Sequence, residues 1–395
     1  MAWLEIDVEA LGANLASLTA LAHGAPAYPV VKADAYGHGA VPVASALAEA
    51  GAAGFCVATF DEAVQLREAG ITAPILVLYP IPPECAGEAA RLDIAVTAGD
   101  ATLLDELIAA LPIGSAPLAI HLEIETGLGR GGFLPAVAAE VASALAATGG
   151  VRLASAWTHL QAAEDRDLTE RQLARFDDAV AALRAAGQQL PRHVAASGGL
   201  LTGGVASLDG IRPGLAIYGL VPDELIGRED AAAVIAEARL RPVLSLHAQA
   251  VRVADLPSGW GIGYGPSFVT TRPSRIATLP LGYGDGWPRS LSNRATALVR
   301  GIGAPIVGNV AMDAVMVDVT DVPGEPVGVH DEFVLIGRQG DAEITAAALA
   351  AARSTNSWEV VTAMAARLPR VYHAGSGPQG LRTLVSGMGP RTRAT

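Results

Sequence analysis

The sequence predicts an α/β protein: an N-terminal (β/α)8 barrel followed by a C-terminal, mostly-β domain. Three observations predict it. Eight short apolar, β-prone runs recur between Tyr28 and Tyr218. Helix-prone stretches rich in Ala, Leu and Glu separate most of them. After about Val221 that alternation fades, and strand patterns bounded by Gly and Pro take over.

The eight runs are Tyr28–Val31, Phe55–Thr59, Ile75–Tyr79, Ile94–Thr97, Leu118–Leu122, Val151–Trp157, His193–Ala196 and Ile211–Tyr218. They are near-continuously apolar, as strands covered on both faces must be. The expected helices are 40–50, 60–69, 82–92, 100–110, 134–147 and 168–186, with Thr59, Asp100 and Thr169 as N-caps and Gly51, Gly70 and Gly187 at the stops. An open doubly wound sheet would carry a Gly-rich phosphate turn after its first strand. Here Lys32, Tyr36 and Gly37 follow instead, which favours the barrel.

Residues 1–8 are expected to form a strand packing with the C-terminal domain. Residues 9–230 would be the barrel, 231–385 the β domain and 386–395 a frayed tail, polar and basic. The charged stretch 224–239 reads as a helical linker. Strands are expected at 243–256, 275–281, 295–299, 305–307, 314–319 and 333–336, and late helices at 344–353 and 357–366.

Composition narrows the function. Hydrophobic residues make up 51% and charged residues 17%, as in a globular chain. No apolar run reaches the roughly 18 residues of a membrane span. The formal net charge of −13 argues against nucleic acid and anionic membrane as partners. Met1–Val8 carries Glu5 and Asp7 and has no basic start, so no signal peptide is expected. Two cysteines without CxxC or a His cluster suit ordinary thiols, a cytoplasmic location and no metal site.

The chemistry concentrates in Pro29-Val-Val-Lys-Ala-Asp-Ala-Tyr-Gly-His-Gly39. Lys32 stands at the C-terminal end of the first barrel strand, where barrel enzymes keep catalytic side chains. Desolvation there lowers a lysine pKa and favours the nucleophilic amine. A lone lysine at a strand end is otherwise a surface residue, a Ser-Gly-Gly stretch a flexible turn, and a Tyr between glycines a hairpin residue.

That segment resembles the signature of the alanine racemase family, whose lysine forms a Schiff base with pyridoxal 5′-phosphate (PLP). The resemblance recurs in Thr126-Gly-Leu-Gly-Arg130, Trp157-Thr-His159, Ile211-Arg-Pro-Gly-Leu-Ala-Ile-Tyr218, Gly263-Tyr-Gly265, Gly282-Tyr-Gly-Asp-Gly286 and Ala311-Met-Asp313, over nearly the whole chain. It implies a PLP-dependent isomerase acting on a small amino acid and supplying D-alanine for peptidoglycan. It also implies a head-to-tail homodimer with shared active sites. Lys32 and Tyr264 would be the opposed bases, Tyr264 entering the partner's site. Tyr36, Ser197, Gly214 and Leu215 would hold the cofactor phosphate. Arg212 would face the pyridine nitrogen, with His159 beside it. Arg130 would contact the phenolic oxygen and approach the substrate carboxylate. Tyr283 and Met312 would complete the substrate pocket, and Asp313 would cap its turn.

Two positions depart from the family pattern. Glu123 stands where many members have a carbamylated lysine, and is expected to pair with Arg130. Ala366 stands where a tyrosine usually precedes Arg367-Leu-Pro-Arg370, which suggests a larger pocket and serine as the first alternative substrate. A PLP carrier without turnover is a third reading, disfavoured by Tyr264 and its domain. A PLP decarboxylase or aldolase on a similar barrel is a fourth, the decarboxylase disfavoured by Arg212 and by the lack of any cysteine after Cys85.

Overall fold

The computed structural model describes residues 1–375, 377–385 and 387–390. The chain divides into two compact units. One comprises 11–35 and 40–241; the other comprises 1–10, 36–39 and 242–395.

The first unit is a parallel β/α barrel. Six strands pair in sequence order: Phe55–Val57, Ile75–Val77, Ile94–Ala98, Leu118–Glu123, Val151–Trp157 and Arg192–His193. The expected first and last strands close the ring through isolated parallel bridges, Val30 with Cys56, Ala27 with Ile211, and Ala196 with Arg212. They are not continuous strands. Pro29 and Pro213 lie within them, and a residue without N–H interrupts a ladder; Cys56 donates to the Pro29 carbonyl at 2.9 Å and Val30 to the Pro213 carbonyl at 2.9 Å. Beyond Gly214 the last run turns into a 3-10 helix, Leu215–Tyr218.

The helices follow the strands. Thr59 and Asp100 cap Phe60–Glu68 and Ala101–Ala109 through their side chains. The cap of the longest helix, Arg166–Ala185, is Asp165 and not Thr169. Thr169 is already inside the helix, and its hydroxyl donates to the Ala162 carbonyl at 3.2 Å. An aspartate before a charged first turn was the stronger cap signal. Helices Val8–Leu21 and Ser197–Leu201 were not foreseen. The stretch 224–239 becomes helix Glu229–Ala238, which belongs to the barrel unit, so the division falls at Arg241–Pro242 and not at residue 230.

In the second unit Ala2–Asp7 lies between Leu244–Gln249, antiparallel, and Arg370–Ala374, parallel. They belong to a nine-stranded sheet among the described residues. A separate three-stranded sheet joins Arg252–Leu256, Ser274–Leu279 and Val315–Asp318. The helix expected over 357–366 ends at Thr362, leaving Ala366 in an exposed loop. Part of the expected frayed tail is ordered: Gly387–Pro390 pairs with Gly377–Thr383. Backbone pairing needs no apolar side chain, which is why composition missed it. Residues 386 and 391–395 lie outside the described residues. No described helix is long and apolar enough to cross a membrane.

The signature segment spans both units. Its tail, Tyr36–Gly39, belongs to the β unit. Arg370, buried, donates to the Gly37 carbonyl at 2.8 Å, and the Tyr372 hydroxyl donates to the His38 carbonyl at 2.9 Å. A Cβ on Gly39, at φ +100°, would sit 2.0 Å from the Tyr372 hydroxyl oxygen. Close approach and positive φ together therefore demand glycine there.

Candidate active site

Lys32 is the sole lysine of the 395-residue sequence. Its half-buried side chain leaves the end of the first barrel run. Burial, then the Arg130 cation, hold its amine below the ordinary lysine pKa, while Glu62 and Cys56 oppose them. The backbone beyond it takes an unusual path. Ala33, Asp34, Ala35 and Tyr36 all have positive φ, between 50° and 55°, and Ala35 donates to the Val31 carbonyl at 2.9 Å. Left-handed backbone costs about 1–2 kcal/mol per non-glycine residue, so the surroundings must hold this turn. Glu62 accepts the Ala33 N–H at 2.6 Å, and Asp34 accepts the Ala40 N–H at 2.8 Å.

Arg130 ends a loop that its own residues brace. Glu125 accepts the N–H groups of Gly127 and, at 2.8 Å, Gly129. The Thr126 and Thr158 hydroxyls meet at 2.7 Å; Thr158 donates onward to the Ile124 carbonyl, so Thr126 is the donor of the pair. Gln172 reaches both loops, donating to Thr126 Oγ1 and to the His159 carbonyl at 3.2 Å each. Glu123, buried, places Oε1 3.6 Å from Arg130 Nη2. Burial pushes the Glu123 carboxyl up, against the pull of Arg130. The arginine also lies over the Tyr79 ring, 5.5 Å from its centroid.

Arg212 is buried and stacks on Trp157 at 4.8 Å. Its Nη1 donates to His193 Nδ1 and, at 2.9 Å, to the His193 carbonyl. Its Nη2 donates to the carbonyls of Thr158 at 2.8 Å and Val194 at 3.4 Å. All four Nη hydrogens are thus engaged, and among the described residues only Nε–H has no partner. Because a guanidinium only donates, His193 Nδ1 must accept and its Nε2–H must donate, to Ser155 Oγ at 2.9 Å. The Ser155 proton then goes to His121 Nδ1 at 2.6 Å. Burial and nearby cations keep these imidazoles neutral: His193 is held well below its usual value by burial and then Arg212, and His121 is lowered to about 3 by burial, then Arg152 and Arg212. His159 is likewise lowered to about 3, by burial and then Arg212, Arg130 and Lys32. Arg212 itself falls only to about 10 and stays charged at neutral pH.

Ser197, buried, accepts the N–H groups of Gly214 at 3.0 Å and Ala216 at 3.1 Å through its Oγ. Its hydroxyl proton therefore points elsewhere. The Gly214 N–H, expected to serve a phosphate, is taken by Ser197. The serine hydroxyl and the Leu215 N–H, at the start of a 3-10 helix, remain as donors.

The β unit carries the other group. Tyr264 is 79% exposed, on a loop whose Tyr264 and Gly265 carbonyls accept from Asn309 Nδ2 at 2.9 and 3.1 Å. Tyr283 and Met312 are exposed as well. Tyr283 N–H donates to the Ala311 carbonyl and Gly284 N–H to the Met312 carbonyl, both at 3.0 Å. Arg367 ties Asp313 at 2.6 Å to Asp285, which it binds through two nitrogens at 2.6 and 2.8 Å. Asp313 thus braces the loop. Glu62, Glu125, Gln172, His193 and Asn309 were not singled out from sequence; a glutamate three residues after Thr59 was the available signal for the first.

The family model described as "Alanine racemase, N-terminal domain" matches residues 6–222, and "Alanine racemase, C-terminal domain" matches 243–372. This chain belongs to the alanine racemase family. The alanine racemase of Symbiobacterium thermophilum is 41% identical over 94% of this chain and 96% of its own length. That of Halothermothrix orenii is 38% identical over 94% and 96%. Among solved structures, alanine racemase from Bacillus anthracis with bound L-Ala-P has a TM-score of 0.88 at 33% identity, covering 97% of each chain. The enzyme from Streptomyces lavendulae has a TM-score of 0.85 at 37% identity, covering 95% of this chain and 97% of its own. These alanine racemases span the chain at both ends of its fold, and the family is PLP-dependent.

The barrel residues fit PLP. The only lysine side chain offers an amine with which an aldehyde could react. The one unpartnered N–H of Arg212 suits a pyridine nitrogen that stays unprotonated, since arginine offers no acceptor. The Ser197 hydroxyl and the Leu215 N–H suit a phosphate.

Proposed function

We propose that the protein interconverts L- and D-alanine with two proton-handling groups, Lys32 of one copy and Tyr264 of a second. The observation that carries this reading is the single lysine, half-buried at a strand end and kept toward its neutral form by burial and Arg130. A neutral amine can take a proton from Cα; a charged one cannot. PLP bound there would supply the electron sink that makes Cα–H acidic.

Racemisation needs a second group on the opposite face, because one base alone returns its proton to the side it came from. Tyr264 supplies a phenol that can give and take a proton. Its exposure in the single chain supports its use by a second copy, and so supports a homodimer. Arg130, braced by Glu123, would orient the substrate carboxylate, with the Met312 backbone and Tyr283 closing the pocket. Ser197 and Leu215 would hold the phosphate. His159, held neutral by burial and the nearby cations, would line the cofactor site without adding charge. Arg212, which has no acceptor to offer, would leave the pyridine nitrogen unprotonated and the electron sink weak, which disfavours side reactions. The free thiols of Cys56 and Cys85 suit a reducing cytoplasm, where D-alanine would enter peptidoglycan precursors.

The test is chiral analysis of purified protein with PLP, started from L-alanine and separately from D-alanine in deuterated water. Both should approach an equal mixture, with solvent deuterium at Cα. Absence of the opposite enantiomer from both starts would end this reading.

A further inference from the structure

Glu62 sits on no block that resembles the family signature, yet its carboxylate touches the residue next to the lysine. Oε1 accepts the Ala33 N–H at 2.6 Å. Oε2 accepts the N–H groups of Ala58 at 2.8 Å and Thr59 at 3.2 Å. One carboxylate thus joins the turn after the first barrel run to the loop after the second. Helix capping explains only half of this arrangement: Thr59 and Glu62 form a reciprocal box at the start of Phe60–Glu68. The bond to Ala33 lies outside that box.

The Ala33 contact falls where the chain needs it. Four consecutive residues with side chains, Ala33 to Tyr36, hold positive φ. Such a run persists only when neighbours over-determine it. Ala33 is exposed, so packing does not supply the restraint at this end.

We propose that Glu62 is a positioning residue for Lys32: its grip on the Ala33 N–H holds the left-handed turn in place and thereby fixes where the amine stands. This rests on the racemase reading above. Without the grip, the turn relaxes toward ordinary φ and the amine swings with it. A displacement of about 1 Å at a reacting group can cost on the order of a hundredfold in rate.

The experiment compares Glu62→Ala, Glu62→Gln and Thr59→Ala in the full chain. Thr59→Ala removes the hydroxyl half of the capping box and leaves the Ala33 bond intact. Racemisation is measured on PLP-loaded protein. A second readout needs no turnover. Because Lys32 is the only lysine, amine acylation of PLP-stripped protein, read at that residue by peptide mass, reports its pH profile alone. The groups that act on the amine are Arg130, Glu62 and Cys56.

Glu62→Ala should lower kcat at least about tenfold with a smaller change in KM. Glu62→Gln should fall between, since its one amide oxygen serves either loop but not both. In both variants the acylation profile should move to lower pH, because the carboxylate that favours the charged amine is gone. Thr59→Ala should keep the wild-type profile and stay within about twofold in kcat, even where it lowers the melting temperature. Wild-type kcat and profile in Glu62→Ala would overturn the proposal, as would Thr59→Ala reproducing the losses of Glu62→Ala. If the wild type gives no D-alanine, the racemase reading fails, whereas a wild-type acylation profile in Glu62→Ala would by itself overturn the role of Glu62.

Discussion

The two groups of site residues are built in opposite ways. In the barrel unit, Arg212, Ser197 and Glu123 are buried, and Lys32 is half-buried. Arg212 and Ser197 spend most of their hydrogen bonds inside the unit, and burial and neighbouring charges shift Lys32, Glu123 and Arg212 from their ordinary pKa values. In the β unit, Tyr264, Tyr283 and Met312 stand exposed, and the loops that carry them are held by backbone bonds and by Asn309 and Arg367. The barrel fixes charges; the β unit fixes loops and leaves the side chains free. The barrel half is built to hold a charged ligand, and the exposed side chains of the β half suit the proposed use by a second copy.

The largest effect should come from the barrel half. Lys32→Ala should remove at least about a thousandfold of activity and abolish the PLP adduct trapped by borohydride, since no other lysine exists to replace it. A trapped adduct in that variant would break the assignment.

The β half comes next. Tyr264→Phe keeps the ring and removes the proton, and should cost about a hundredfold or more. Mixing and re-equilibrating it with Lys32→Ala should restore about a quarter of wild-type activity, because half the dimers carry one intact site. No recovery on mixing would mean that the two groups act within one chain.

The brace on Arg130 should matter less. Glu123→Gln should lower kcat/KM for alanine about tenfold, with the arginine less constrained. Bicarbonate should leave the wild type unchanged, since this chain has no second lysine to carbamylate. Activity that rises with bicarbonate would count against Glu123 as the brace.

The smallest effect is on pH. Arg130 lowers the Lys32 pKa; Arg130→Gln should therefore move the acylation profile of the PLP-stripped protein to higher pH, toward that of an ordinary lysine. An unchanged profile would show that Arg130 does not act on the amine. Serine turnover in the same panel, and its loss in Ala366→Tyr, would show whether the residue at 366 widens the pocket.

Much of this was legible beforehand. The barrel could be read because buried parallel strands are apolar runs and their helices carry caps, as at Thr59 and Asp100. Lys32 could be read from its place at a strand end. The path after it could not. Ala33-Asp34-Ala35-Tyr36 has no residue that favours positive φ strongly enough to announce a left-handed turn, and its restraint comes from Glu62, in the next β/α unit. The domain limit at Arg241 was missed for a related reason. The helix Glu229–Ala238 looks like a linker by charge, and only its contacts assign it to the barrel.

By itself, the sequence determined the alternation of barrel strands and most of their helices, and put its one lysine at the end of the first run. Those depend on local periodicity and on residue identity. The tertiary structure decided which donors stay open. Arg212 keeps a single N–H because four others meet carbonyls and an imidazole, and Ser197 keeps its proton because Gly214 and Ala216 fill its lone pairs. Hydrogen-bond satisfaction is a property of neighbours in space, and a linear chain does not display it.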